Sequence, residues 1–386
     1  MSLRYWINRQ TRTVLQGEKR TLQYERGMRN VYEQAISDIK KEVSAFYQKY
    51  ADDNEIAINT SKRRLGANEL KDYRLANQTY QDEVAAVLSK HPNNLAGLSP
   101  YLKELKLKSG RAYISRMDEF KDNIQHRVNM LNAGIDVGMG KHLEFEYEAS
   151  MYKTLFDISS FKGTTIDFNQ PSTHQLKAAV MAKWNGANYS DRIWANKDKL
   201  LQKMDTLIPQ AFVRGLSSSK LAKELGEAME VSYSNAVRLV RTEGRYIGNK
   251  GSKDAYVASG VVDQIMFVAT LDGRTSPICQ SMDGKIMNLS DGEPGLTMPP
   301  LHPYCRSTTI PYFPDDEIGS ILDDRVERKG GKTVRMEKYQ NFRDWAKDNT
   351  DPAFLKRMQR KDPSMAKLPA EVPLEAGDPD NAVVDR

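Results

Sequence analysis

Apolar residues recur at steps of four and three near the start of the chain. Tyr32, Ile36, Ile39, Val43, Phe46 and Tyr50 fall on one helical stripe, with Glu33, Asp38, Lys40, Lys41, Glu42 and Lys49 on the faces between. Upstream the stripe thins to Val14, Leu15 and Leu22, with Gly17 and Gly27 among them. Residues 1–50 therefore read as one long helix or two in series. Turn signals at Asp52-Asp53-Asn54 and His91-Pro92-Asn93-Asn94 break up the next stretch, in which Ser99–Leu107 reads as a short helix with Ser99 as cap and Pro100 in the first turn. A second stripe, Ile114, Met117, Phe120, Ile124, Val128, Leu131 and Ile135, predicts a long helix over Ala112–Asp136. Gly134, Gly138 and Gly140 follow, each costing about 1 kcal/mol relative to alanine inside a helix. They imply either a break or a close crossing of two helices, with a further helix over Lys141–Ile158.

Residues 159–175 read as a loop, with a short strand possible around Thr164–Phe168. Three helices follow: Leu200–Phe212, a second capped by Ser217-Ser218-Ser219, and Ser232–Ser259 interrupted at Gly244, Gly248 and Gly251. At Gly260 the period changes. Val261–Thr270 is β-branched and aromatic and predicts a buried strand; Lys285–Met287 and Ser307–Tyr312 predict two more. Beyond Pro314 the chain turns polar, with a short helix near Lys338–Asp348 and an acidic end, Glu371–Arg386, that buries too little apolar surface to fold alone. The fold class is thus α+β and mostly α-helical: long N-terminal helices, then a C-terminal helical module with a small β unit.

Composition refines this picture. The 386 residues give room for two or three domains at roughly 100–200 residues each. Apolar residues at 39% and charged residues at 28% suit long exposed helices attached to a smaller packed region. The net charge of +6 permits contact with a polyanion without demanding it, and the densest basic runs are Lys62-Arg63-Arg64 and Lys356-Arg357. Met1–Arg12 has no apolar signal core, and no stretch approaches the ~18 apolar residues of a membrane span, so a soluble protein made in a cytosol is expected.

The two cysteines of the chain, Cys279 and Cys305, stand 26 positions apart, with His302 three before the second. Such soft ligands can reach one metal ion, and an acid, Asp283 or Asp272, could complete a tetrahedral site. A structural zinc would then clip together a β unit with little core. Two ordinary buried thiols, or a disulfide, are the other readings of the same residues. The acids Asp272, Asp283, Asp291 and Glu293 also raise the alternative of a metal-dependent nuclease or hydrolase. Asp272-Gly273, Asp283-Gly284 and Asp291-Gly292 are, however, turn-forming pairs, so no catalytic residue is assigned.

The order Asp272, Arg274, Thr275, Cys279, Asp283, Gly284, then Pro299, Pro300, His302, Pro303, Cys305, Arg306, resembles the phage head morphogenesis family typified by the F protein of phage Mu. Arg241-Thr242-Glu243 and Asn188–Trp194 resemble further segments of that family, as does the helix beginning Tyr5-Trp6. Ser307 stands where many members carry another cysteine. The resemblance implies a helical assembly region over 1–160, a Mu F-like head morphogenesis domain over 176–313 and a partly disordered extension over 314–386. It implies a minor capsid protein rather than an enzyme, in the capsid interior near the portal vertex of the virion and in the host cytoplasm during assembly. The implied partners are the portal protein, capsid or scaffold proteins and, non-specifically, phage genomic DNA during packaging or ejection. No membrane partner is implied.

Overall fold

The first stripe lies along one uninterrupted helix, α1 (Ser2–Tyr50), where Tyr32, Ile39, Val43, Phe46 and Tyr50 are buried. Ile36 is half-buried. The computed structural model describes residues 2–50, 58–91, 95–163, 165–314, 328–329, 332–333 and 342–361. The expected turn at Asp52–Asn54, most of that at His91–Asn94, and the acidic end lie outside these residues. Short α2 (Ile58–Ser61), α3 (Ala67–Lys90) and α4 (Leu98–Ser109) follow, the last of these close to the helix expected there. Then come α5 (Arg116–Lys162), α6 (Thr173–Met181), α7 (Tyr189–Val213) and α8 (Ser218–Ser259).

Neither α5 nor α8 breaks at its glycines. The interruption expected at Gly244, Gly248 and Gly251 is absent, and of the two readings of Gly134, Gly138 and Gly140 the close approach holds at Gly138 and Gly140 but not at Gly134. A Cβ on Gly138 would stand 3.2 Å from Tyr24 Oη, and one on Gly140 would stand 2.5 Å from Tyr189 Oη. At Gly251 the obstacle is backbone: an added Cβ would lie 2.5 Å from the Tyr147 carbonyl oxygen. The helical cost of glycine is offset by letting another element in. Residues 165–168 form no strand; the Ile166 N–H instead donates to Ser159 Oγ at 3.2 Å.

The chain divides into two compact units, each assembled from separated segments. One comprises Thr21–Glu144 and Lys177–Gly244. Its core gathers Val84, Leu95, Leu98, Tyr101, Leu105, Ala133 and Trp194, and Phe46 stacks on Phe120 with centroids 4.5 Å apart. Trp194 Nε1 and Ser190 Oγ both donate to the buried Asp136 carboxylate, at 2.7 and 2.6 Å.

The other unit comprises Met1–Arg20, Phe145–Leu176 and Arg245–Arg386. Trp6 packs on Phe161 and Phe313. Phe156 and Phe168 meet Trp345 of the helix Phe342–Asn349, and Tyr152 meets Phe354 of the helix Pro352–Lys361. A buried bidentate pair joins Arg20 to Glu146 at 2.7 and 2.8 Å. Its sheet has the order β2-β1-β3, all antiparallel, from β1 (Gln264–Val268), β2 (Ile286–Asn288) and β3 (Thr308–Tyr312). Three strands were expected close to these places. β1 is shorter than the Val261–Thr270 run because Ala269 gives its N–H to the Asp283 side chain rather than to a strand. Pro311 is accommodated because β3 is an edge strand. Tyr256 Oη donates to the Thr309 carbonyl at 3.0 Å, and Gln10 Nε2 to Thr308 Oγ1 at 3.1 Å, so α8 and α1 both hold β3.

The glycine contacts give a paired expectation. Gly251→Ala destabilises the protein by roughly 1–3 kcal/mol, as overpacking does. Gly134→Ala, with nothing within 4 Å of its added Cβ, stabilises it by up to about 1 kcal/mol. Urea unfolding of the two variants measures this; equal shifts would contradict the crossing.

Candidate metal centre

After β1 the chain enters a turn built on Asp272. Its carboxylate accepts from the Arg274 N–H at 2.8 Å, and its own N–H donates to Thr275 Oγ1 at 2.8 Å. The Arg306 guanidinium closes on the same carboxylate with contacts of 2.6 and 2.5 Å. That guanidinium, helped by the Arg274 N–H, holds the Asp272 carboxyl well below the usual carboxylate range. Ser276 caps the following helix, α9 (Pro277–Met282), by accepting from the Cys279 N–H at 3.3 Å, with Pro277 in the first turn. This fixes Cys279 one turn into the helix with its sulfur in a small apolar core of Phe267, Cys279 and Cys305, flanked by Ala269, Met282 and Leu301.

The return strand supplies the rest. Met298–Arg306 carries a cis Pro299-Pro300 bond and a left-handed Tyr304 (φ 61). Cys279 Sγ lies 3.2 Å from His302 Nε2 and 3.6 Å from Cys305 Sγ, and the three ligand atoms lie within 4.8 Å of one another. Both cysteines are buried and His302 is half-buried. His302 Nδ1 lies 2.8 Å from the Pro303 carbonyl oxygen, which can only accept, so Nδ1 carries the proton. That leaves Nε2 with its lone pair towards the sulfurs, the tautomer of a metal ligand. Burial raises the Cys305 thiol pKa, and the neighbouring Cys279 adds to the rise. The group is close enough to bind a metal ion.

Asp283, expected as a fourth ligand, stands outside this cluster: its Oδ1 accepts from the Ala269 N–H at 2.8 Å. The other nearby acids are also engaged. Asp291 accepts from Asn288 Nδ2 and Ser290 Oγ, each at 3.0 Å. Glu293 shapes the next turn through its backbone, its N–H donating to Thr297 Oγ1 at 2.7 Å.

The Arg241-Thr242-Glu243 run lies on α8, in the unit of Thr21–Glu144 and Lys177–Gly244. Arg241 makes a bidentate pair with the buried Glu25 at 2.6 and 2.7 Å, and Thr242 Oγ1 returns to the Arg238 carbonyl at 2.8 Å. Glu243 is buried and accepts from Trp184 Nε1 at 2.8 Å and from the Arg192 guanidinium. Burial pushes the Glu243 carboxyl pKa up, against the opposing pull of Trp184 and Arg192. Arg192 also lies over the Trp184 ring, 4.7 Å from its centroid. It belongs to α7, whose start is a reciprocal cap between Asn188 and Asp191. The segments Asn188–Trp194 and Arg238–Glu243 therefore meet through Arg192 and Glu243. Sequence reasoning singled out the Asn188–Trp194 segment but not the pairing of its Arg192 with Glu243, and it missed Trp184 and Glu25, because no local pattern announces partners so far apart along the chain.

Residues 202–310 match the family described as Phage Mu protein F like protein. The chain is similar to "Minor head protein GP7" of Bacillus phage SPP1, with 24% identity over 60% of this chain and 79% of that protein. It is also similar to "NAD(+)--arginine ADP-ribosyltransferase EFV" of Enterococcus faecalis (strain ATCC 700802 / V583), with 21% identity over 62% of this chain and 50% of that protein, so it spans about half of that relative. No solved structure matches it.

The Glu243 environment predicts an uneven response to arginine loss. Arg192→Ala strands a buried carboxylate and costs on the order of 3–5 kcal/mol. Arg214→Ala, which breaks the more exposed pair with Glu224, costs less than about 1 kcal/mol. Comparable losses in denaturant unfolding would mean that Glu243 is not held by Arg192.

Proposed function

We propose that this chain, a Mu F-like minor head protein of a phage, is a structural subunit placed in the capsid interior near the portal vertex, where it acts in head assembly and in genome packaging or ejection. It would be made in the host cytoplasm and assemble there with the portal and with capsid or scaffold proteins, with weak non-specific contact to DNA. The observation that carries this reading is the match over residues 202–310. Among the described residues no helix is long and apolar enough to cross a membrane. Infection with a phage lacking this gene tests the role. Heads that package or eject DNA poorly are expected; unchanged infectivity would overturn it.

The role is read as non-catalytic. Asp272 is clasped by Arg306, Asp283 caps a strand end and Asp291 binds Asn288, so these carboxylates serve turns rather than the paired-metal arrangement of a nuclease. Nor is a transferase role carried over from the Enterococcus relative, since the chain spans about half of that protein's length at 21% identity.

Cys279, His302 and Cys305 are read as ligands of one structural zinc. A tetrahedral zinc with Zn–S of ~2.3 Å and Zn–N of ~2.0–2.1 Å sets S–S edges of roughly 3.8 Å and S–N edges of roughly 3.5 Å. The 3.6 and 3.2 Å separations are near those lengths and well above a disulfide bond of ~2.0 Å. With Ser307 in place of a further cysteine, and Asp283 turned to the backbone, water would complete the set. The zinc would tie α9 to the return strand. Metal analysis should find about one zinc per chain, lost in Cys279→Ser and retained in Asp283→Asn. Wild-type protein without zinc, or loss of zinc from Asp283→Asn, would contradict the assignment.

A further inference from the structure

Arginines in the unit of Thr21–Glu144 and Lys177–Gly244 differ in what holds them; Arg26 on α1 and Arg238 on α8 are exposed, the latter bonded to Asn235, and lie away from the turns described next. Arg29, Arg116, Arg127, Arg192, Arg214 and Arg241 are each held by a carboxylate. Arg63, Arg64, Arg74 and Arg111 are exposed, have no carboxylate partner among the described residues, and come together in one place. A β-bridge between Arg64 and Ser115 lays the 62–65 turn beside the start of α5. It is reinforced by Leu65 N–H to the Ile114 carbonyl at 2.9 Å and Arg116 N–H to the Arg63 carbonyl at 3.0 Å. From α3, Arg74 Nη2 donates to the Arg111 carbonyl at 3.4 Å. The Arg64 guanidinium lies 4.3 Å from the centroid of Tyr113, a ring left 58% exposed. Lys62 adds another exposed cation. The acids nearest these turns are committed elsewhere: Glu69 to the Gly66 N–H and Arg116, Asp118 to Ser115.

We propose that this surface, Lys62, Arg63, Arg64, Arg74, Arg111 and Tyr113, is where the chain meets the phosphate backbone of duplex DNA. The proposal deepens the reading of this protein as a virion component with DNA contact, and rests on it. Exposed guanidinium forks without carboxylate partners keep most of their donors for phosphate oxygens, which they match in geometry. A protein partner is the less suited occupant. Protein interfaces are centred on buried apolar anchors, and the turns at 62–66 and 110–113 that carry most of these cations expose Lys, Arg, Gly, Ala and one tyrosine beside the half-buried Leu65, the exposed Leu75 and Leu107 lying outside them on α3 and α4. Contacts confined to phosphates carry no base readout, so binding should be sequence-independent and salt-sensitive.

The test uses the full chain and a fluorescent duplex of random sequence, with binding followed by anisotropy across a salt series. Arg63→Glu/Arg64→Glu/Arg111→Glu should weaken binding more than about tenfold and reduce the steepness of log K against log salt by about 2–3. Arg63→Gln/Arg64→Gln/Arg111→Gln should give a smaller fall in the same direction. Lys199→Glu/Lys203→Glu on the exposed side of α7 should leave affinity within about twofold, since only phosphate-contacting cations set it. Circular dichroism confirms that each variant is folded. No binding by the wild type at low salt would remove DNA contact from the proposed function. Wild-type binding that the triple variants leave unchanged would overturn this surface alone. Loss of portal or capsid-protein binding in those variants, with DNA affinity intact, would overturn it in favour of an acidic protein partner.

Discussion

The structure depends on one approach of backbone to backbone. At Gly251 there is no room for even a methyl group, because the Tyr147 carbonyl oxygen occupies the space a Cβ would need. This fixes α8 against α5, and α8 leads directly into the sheet. Tyr256, little more than a turn further on, bonds the Thr309 carbonyl, and Asn249 and Gln10 share the Thr308 hydroxyl. The sheet of three short strands has little surface of its own to bury. It is positioned by what the helices present to it, and the cysteine–histidine segment hangs from that sheet.

Within that segment the motif residues act on one another. Asp272 and Arg306 stand near its two ends and clasp; Cys279 and Cys305, one step further in, face each other with His302 beside them. A chain stretch with a six-residue helix is thereby drawn together twice, once by an ion pair and once by two thiols and an imidazole gathered in an apolar pocket. The Arg241-Thr242-Glu243 run has the same character in the other unit, where buried carboxylates receive arginines from α7 and α8. Residue types that often mark catalysis here join segments distant in sequence.

What could be read from sequence follows from how local each cause is. The stripe from Tyr32 to Tyr50, the second stripe from Ile114 to Ile135 and the β-branched run Val261–Thr270 depend on local pattern; the structure keeps the first two as helix, with Ile114 just ahead of α5, and the third as the shorter β1. Cys279, His302 and Cys305 were legible because the types are rare and their spacing is restrictive. Asp283 was not, since a carboxylate next to glycine serves a backbone N–H as readily as a metal. The glycines of α8 were misread because propensity counts their cost without seeing the partner they admit. The Arg192–Glu243 pair spans 51 positions and leaves no local trace.

The central proposal is that the Cys279–His302–Cys305 segment is a metal-closed structural clip. X-ray absorption at the zinc edge of the purified full-length chain tests it most directly. The account predicts a first shell of two sulfurs at about 2.3 Å and lighter atoms at about 2.0–2.1 Å, one of them imidazole nitrogen. A shell of oxygen and nitrogen alone, or a sulfur–sulfur bond in protein lacking zinc, would contradict it.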